Sequence, residues 1–260
     1  MNIGFIGCGN MGGALARAIS RNKNVKVYIS DNNRPLAETF AKEIGGEVVD
    51  NIRAASLSDI LFIGVKPAYV SSVAKEIFTA LGEETVIVSM AAGVCTGRLK
   101  EDFGERKIIR IMPNTPVKVG MGMTTWCATK QVDARDEENF LEIMKPTGRV
   151  DKLPESLIDA ACAVAGCGPA FVYMFIEALA DGAVRCGLPR EKALLYAAET
   201  VKGAAETVLA TGEHPEALKD AVCSPGGSTI EGVAALEEGG FRAAAMDAVD
   251  KAFEKTKKLG

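Results

Sequence analysis

Two halves of unlike character predict an α/β domain followed by an all-α domain. Short apolar runs alternate with helical patterns as far as residue 154, and β-branched runs disappear from residue 155 onward in favour of Ala, Leu, Glu and Lys. A glycine-rich turn also follows the first apolar run directly, where a strand must hand over to a helix.

The strand candidates are residues 3–6, 25–29, 47–49, 60–65, 85–90 and 107–112. Helical candidates between them, residues 12–21, 35–44 and 70–81, carry small or apolar residues at helical spacing. Strands separated by helices make crossover units, so the sheet is expected to be parallel with helices on both faces. The fold class is therefore α/β: a doubly wound Rossmann-type domain over 1–154 and a helical domain over 155–260, the latter punctuated near Gly187, Gly212 to Pro215 and Gly226-Gly227.

Composition narrows the function. A formal net charge of -4 leaves no basic footprint for nucleic acid or an anionic membrane. The first seven residues enter a strand-like run with no basic region or cleavage site, which reads as a cytoplasmic chain. The 7 cysteines are scattered and never spaced Cys-x-x-Cys, so they read as reduced, mostly buried thiols rather than a disulfide framework or zinc site. The single histidine, His214, precedes a proline and has no acid or serine pattern beside it, so neither a triad nor a metal site is expected. The uncharged stretch 160–176 approaches the length of a membrane span. Gly166-Cys167-Gly168-Pro169 interrupts it, so two buried helical segments meeting at a turn are expected instead.

The first chemical motif is Gly7-Cys8-Gly9-Asn10-Met11-Gly12. The first glycine permits the tight turn, the second lets backbone approach a pyrophosphate, the third allows close helix packing, and the helix start supplies N–H groups to an anion. A dinucleotide site follows from that context. Its preference is open at the end of the second strand. Asp31 is placed for the ribose 2′-hydroxyl of NAD, whereas Arg34, with Ser30 and Asn33, is placed for the 2′-phosphate of NADP, and solvated turn residues are the plain alternative. Two further strand-end loops, Val65-Lys66-Pro67 and Ala91-Ala92-Gly93, are candidate cofactor walls, although Lys66 on its own reads as an ordinary surface lysine. After residue 112 the rigid loop Pro113-Asn114-Thr115-Pro116 offers the Asn114 amide to a nicotinamide or substrate, with a plain turn as the competing account.

In the second half, Ser224-Pro225-Gly226-Gly227-Ser228-Thr229-Ile230-Glu231 passes from one helix into another through paired glycines. Ser228 and Glu231 have capping-box spacing. The N–H groups and hydroxyls of Gly227, Ser228 and Thr229 make a compact pocket for a carboxylate. Glu177, on the apolar helix 171–179, is a candidate proton source or a buried structural carboxylate.

These residues carry a resemblance. Ser-Pro-Gly-Gly-Ser-Thr-Ile-Glu, preceded by Gly212-Glu213-His214-Pro215 and followed by Phe241-Arg242, is similar to the signature region of the 1-pyrroline-5-carboxylate reductases of proline synthesis. The glycine-rich turn, Val65-Lys66-Pro67, Ser89-Met90-Ala91-Ala92-Gly93 and Met112-Pro113-Asn114-Thr115-Pro116 resemble that family's motifs in order, almost end to end. The resemblance implies NADPH, or NADH, on the glycine turn, Lys66 and Ala92. It implies the substrate carboxylate on Ser224, Gly226, Gly227, Ser228 and Thr229, with Gly168 and Pro169 shaping the pocket. It further implies hydride transfer to a cyclic imine acid and an interlocked homodimer, sometimes built into rings. Apolar residues on the second half, among them Phe171, Met174, Phe175, Leu179, Phe241, Val249 and Phe253, already exceed what one layer of helices would hide.

One stretch departs from the family. Ala165-Gly166-Cys167-Gly168-Pro169-Ala170-Phe171 stands where the family reads Ser-Gly-Ser-Gly-Pro-Ala-Tyr, so three hydroxyls are missing and a related cyclic imine acid is an alternative substrate. A 3-hydroxyacid dehydrogenase would need a lysine early in the second domain, and none lies between Lys152 and Lys192. A nucleotide-binding protein without turnover is the remaining alternative.

Overall fold

The computed structural model describes residues 1–258. The last two residues of the helical domain expected from the sequence lie outside that range. The chain forms two compact units: residues 1–167 together with the segment from Ala252 onward, and Gly168–Lys251.

The first unit is built on eight strands, β1 (Asn2–Ile6), β2 (Lys26–Ser30), β3 (Glu47–Val48), β4 (Ile60–Ile63), β5 (Val86–Ser89), β6 (Ile108–Met112), β7 (Gly122–Ala128) and β8 (Gly148–Lys152). Their order is β3-β2-β1-β4-β5-β6-β7-β8. All pair in parallel except β7, which runs antiparallel to β6 and carries β8 with it. The helices α1 (Asn10–Ile19), α2 (Arg34–Ile44), α3 (Asn51–Leu57), α4 (Val70–Ile77), α5 (Thr96–Phe103) and α6 (Ala134–Met144) fill the crossovers.

Side chains that alternate along each strand feed two cores. Phe5 stacks on Phe62 with centroids 4.6 Å apart, on the face shared with Trp126 and Phe140. Leu61, Ile63 and Phe103 fill the opposite face. The six strands expected from the sequence are present with ends shifted by a residue or two. β7 and β8 were not expected: Thr124, Thr125 and Arg149 break the apolar runs that marked the others. An all-parallel sheet is accordingly corrected to a mixed one.

Compact packing divides at Gly168, past the expected boundary at residue 154. α7 (Glu155–Ala161) packs with the first unit because Arg110, buried in β6, reaches back to it. Its guanidinium meets Asp159 at 2.7 Å and Glu155 at 3.3 Å, while Glu155 accepts from the Thr96 amide at 2.7 Å. Beneath them Ile158 and Cys162 close over Met112 and Cys127.

The expected break at residues 166–169 is absent. Cys162–Gly166 forms a π-helical turn, with the Cys167 amide donating to the Cys162 carbonyl at 3.0 Å. The helix runs on from Glu155 to Arg185, long and apolar enough to cross a membrane by length and composition alone. Only 11% of its apolar window is buried within the single chain, where buried segments were expected.

The second unit contains α8 (Gly168–Arg185), α9 (Arg190–Thr211), α10 (Pro215–Val222), α11 (Ser228–Glu238) and most of α12 (Phe241–Lys257). Its buried centre is small: Ala180, Ala193 and Ala197 let α8 and α9 approach closely. Phe175 and Phe241 meet at 5.5 Å, yet Met174, Tyr173, Leu195 and Met246 are exposed.

Candidate active site

β1 pairs with β2 on one side and β4 on the other, so the crevice at their carboxyl ends is the switch point of the sheet, where such folds take ligands. A cavity of about 360 Å³ opens there, lined by Gly7, Gly9, Asp31, Asn51, Lys66 and Tyr69 among others. A larger hollow of about 690 Å³ lies at the amino ends of β4 and β5. There Lys107 is already neutralised by Glu84 at 2.7 Å and Asp136 at 3.0 Å. The former is the site that the fold rule selects.

The glycine-rich turn fits a pyrophosphate on the structure's own terms. Gly7 has φ +93°, and a Cβ there would lie 2.7 Å from the Gly64 carbonyl oxygen. A Cβ on Gly12 would run into the Gly7 carbonyl. Gly9 is the opposite case: nothing lies within 4 Å of where its Cβ would be, and it faces the cavity. Gly9 also caps α1, with no side-chain hydrogen bond and no acidic residue in the first turn. The first N–H groups of α1 are therefore left to an outside acceptor.

Cys8 serves this turn through its backbone, donating to Asp31 Oδ2 at 2.8 Å, while its thiol lies 3.4 Å from the same oxygen. Burial, then the Asp31 charge, pushes the thiol up to about 12. Of the other turn residues, Asn10 is exposed and Met11 packs on the core.

The expected cofactor residues divide. Gly7, Gly9, Asp31, Val65 and Lys66 share the cavity. The Asn33 side chain caps α2, accepting from Leu36 N at 3.2 Å, and Arg34 pairs with Glu38 at 2.9 Å, so neither is presented to the cavity wall. Pro67 opens an exposed 3₁₀ turn. Ala91 is buried, Ala92 packs on the Met112 cluster and Gly93 takes φ +76° beyond β5, away from this cavity.

The Asn114 amide is committed elsewhere. Its Nδ2 donates to the Ala165 carbonyl at 2.9 Å, and its Oδ1 accepts from Met123 N at 2.9 Å. Sequence reading missed Asn51, Tyr69 and Glu76. Asn51 is held by Ser30 at 2.7 Å and holds Glu76 at 2.8 Å, a bridge that only the folded chain reveals. An exposed tyrosine one turn beyond a strand end was the one signal available for Tyr69.

The second unit carries the other motif. α10 ends at Val222, Gly226 turns the chain at φ +66°, and the Gly227 amide donates to the Ser224 carbonyl at 3.0 Å. A Cβ on Gly227 would strike the Ser224 hydroxyl, which explains the second glycine. α11 starts at Ser228 with Gly227 as its N-cap and no side-chain cap. The capping box expected of Ser228 and Glu231 is thus corrected: the helix begins one residue early, and Glu231 falls past the position from which it would reciprocate.

The surrounding signature residues brace the turn. His214 caps α10, accepting from Glu216 N at 3.3 Å. Arg242 bridges Glu216 and Glu237, and the hydrogen bond from Lys219, then that from Arg242, holds the Glu216 carboxyl down to about 2. Gly168 and Pro169 open α8, and Glu177 is exposed in the single chain.

The reductase of Escherichia coli K12 named pyrroline-5-carboxylate reductase is 42% identical across 99% of this chain and 97% of its own. This chain belongs to the pyrroline-5-carboxylate reductase family. The protein of that name from Methanosarcina acetivorans is 40% identical over the same shares of the two chains. The model for pyrroline-5-carboxylate reductase dimerisation matches residues 155–259, and one described as NADP oxidoreductase, coenzyme F420-dependent, matches residues 2–93. The crystal structure of Plasmodium falciparum pyrroline carboxylate reductase with NADP bound superposes with TM-score 0.91 at 35% identity, covering 100% of this chain and 98% of that one. The resemblance read from the motifs is therefore correct. Among the thiols, Cys8, Cys127 and Cys162 are buried while Cys95 and Cys186 are exposed, so "mostly buried" overstated the case.

Proposed function

We propose that this family member transfers hydride from NADPH or NADH to the C=N bond of 1-pyrroline-5-carboxylate, giving L-proline in the last step of proline synthesis. Full-length 42% identity to the Escherichia coli enzyme carries the reading. When bound, the nicotinamide supplies the hydride. The first N–H groups of α1 and the open face of Gly9 receive its pyrophosphate, and Lys66 adds the one cation on the cavity wall.

The start of α11 holds the substrate carboxylate on the amides of Gly227, Ser228 and Thr229, with Ser224 shaping the turn. The imine is cationic near neutral pH and accepts hydride without a protein acid, so the chain contributes mainly position. Thr229 orients the substrate with its hydroxyl near the imine nitrogen. Glu177, exposed in the single chain, is the weaker candidate for a proton relay.

Residues 155–260 act as the substrate-binding and dimerisation domain and 1–154 as the nucleotide domain, although compact packing divides at Gly168. The exposed apolar face of α8 and α9 supports burial against a second copy, and dimers of this kind assemble further into rings. The unpaired cysteines fit a cytoplasmic enzyme.

The test follows nicotinamide absorbance with 1-pyrroline-5-carboxylate in the wild type and in Thr229→Ala. Turnover that the variant loses supports the reading. Nucleotide binding without turnover refutes it, and faster turnover of the six-membered imine acid would transfer the reading to that substrate, as Ala165 and Cys167 allow.

A further inference from the structure

Arg110 stands in the middle of β6 with only 2% of its surface exposed, and its guanidinium ties together segments that are far apart in sequence. Nη2 donates to Asp159 Oδ1 at 2.7 Å and Nη1 to Glu155 Oε1 at 3.3 Å, which fixes both carboxylates of α7. Glu155 passes the hold on. Its Oε1 also accepts from Thr96 N at 2.7 Å and its Oε2 from the Thr96 hydroxyl at 2.5 Å, and Thr96 is where the loop after β5 enters α5. Beyond the end of β6 itself, Asn114 Nδ2 donates to the Ala165 carbonyl inside the π-helical turn. Ala92 of the β5 loop, Met112 at the end of β6 and Cys162 of the π-helical turn meet in one apolar cluster beside this network.

Drying a guanidinium is costly, and an apolar side chain of similar volume would serve stability as well or better. Arg110 Nε is buried and makes no hydrogen bond among the described residues, which adds to that cost. What a planar fork supplies instead is direction, because two carboxylates on one helix can meet it in only one orientation. The segment it orients ends in a π-helical turn, a distortion that occurs frequently at functional sites.

A dinucleotide on the turn after β1 crosses the switch point, so with its adenosine beside β2 its nicotinamide falls on the half of the sheet built by β4, β5 and β6. Resting on the reductase reading above, we propose that Arg110 is a positioning residue for hydride transfer: through Glu155 and Asp159 it holds the 91–95 loop and the 162–166 turn at one spacing against the nicotinamide. Arg110 touches neither reactant. Loosening it leaves the pyrophosphate turn at Gly7 to Gly12 unchanged, so NADPH still binds, while the ring that delivers the hydride loses its fixed wall.

The experiment compares the wild type with Arg110→Lys, which keeps the charge and loses the fork, and with Thr96→Val, which removes one hydroxyl and leaves the buried ion pairs in place. Urea titration read by Trp126 fluorescence first establishes that each variant is folded. In Arg110→Lys, kcat for 1-pyrroline-5-carboxylate is expected to fall on the order of 100-fold, with the NADPH dissociation constant and the KM for the imine at their wild-type values. The isotope effect from NADPH deuterated at the transferred position is expected to rise as the chemical step becomes rate-limiting. Independently of turnover, the fluorescence anisotropy decay of NADPH bound without imine is expected to gain a fast component from a loosely held nicotinamide. Thr96→Val shows the same split with a smaller fall, and it carries the test alone if Arg110→Lys does not fold. Wild-type kcat and an unmoved anisotropy decay in every folded variant, or a loss confined to NADPH affinity, overturns the positioning role and leaves the reductase reading intact. A wild type that binds NADPH and turns over no imine brings down the reductase reading, and the positioning role falls with it.

Discussion

Asn114→Ala tests whether this side chain binds ligand or ties the first unit together. The residue is 8% exposed, and both halves of its amide are spent on backbone groups distant in sequence, Ala165 O and Met123 N, each at 2.9 Å. Truncation strands one acceptor and one donor. Each stranded buried group costs about 1–3 kcal/mol, with the lower end appropriate because Met123 and Ala165 are themselves only partly covered. The expected loss is therefore about 2–4 kcal/mol, or on the order of 30-fold to 1000-fold in the folding equilibrium. Trp126, the single tryptophan, is buried in β7 and reports unfolding of this unit alone. Urea titration followed by its fluorescence measures the change. A loss under about 1 kcal/mol, accompanied by weakened dinucleotide binding, would refute the structural assignment and return Asn114 to the cofactor.

Gly12→Ala should weaken NADPH and NADH binding together by at least about tenfold, since the new Cβ meets the Gly7 carbonyl and the turn must open; unchanged titrations with either nucleotide would count against the pyrophosphate role. The Cys8 thiol, raised to about 12, favours the folded state below its ordinary value of 9.0, and that contribution is lost as pH climbs from there towards 12. Alkylation with mass-spectrometric readout should accordingly modify exposed Cys95 at mildly alkaline pH and leave Cys8 and Cys127 intact until urea is added; early labelling of Cys8 would disprove its protection. Met174→Glu, at a site 70% exposed in the single chain, should leave helix content intact yet shift light-scattering mass to the monomer, whereas a retained dimer would place the interface elsewhere.

The strands between Asn2 and Met112 were legible because they are buried on both faces and read as unbroken apolar runs. β7 was not, since Thr124 and Thr125 interrupt its pattern and only pairing with β6 supplies the missing periodicity. Glycines announced the turn at Gly7 to Gly12, where steric exclusion acts between residues close in sequence. The Asn51 bridge was hidden for the reverse reason: its partners Ser30 and Glu76 lie on separate crossovers, and no local pattern couples them. The same holds for Arg110, whose carboxylates arrive from α7. At residues 166–169 glycine and proline suggested a break, but the helix absorbed them by widening one turn, a choice made by packing over Met112 and Cys127 rather than by propensity.

The first unit is discontinuous along the chain: it is left at Gly168 and completed only from Ala252 onward, where Thr256 is again buried. The sheet and its helices therefore precede their last packing partner in order of synthesis, and a chain stalled in α9 would carry every strand of the sheet without the segment that brings Thr256.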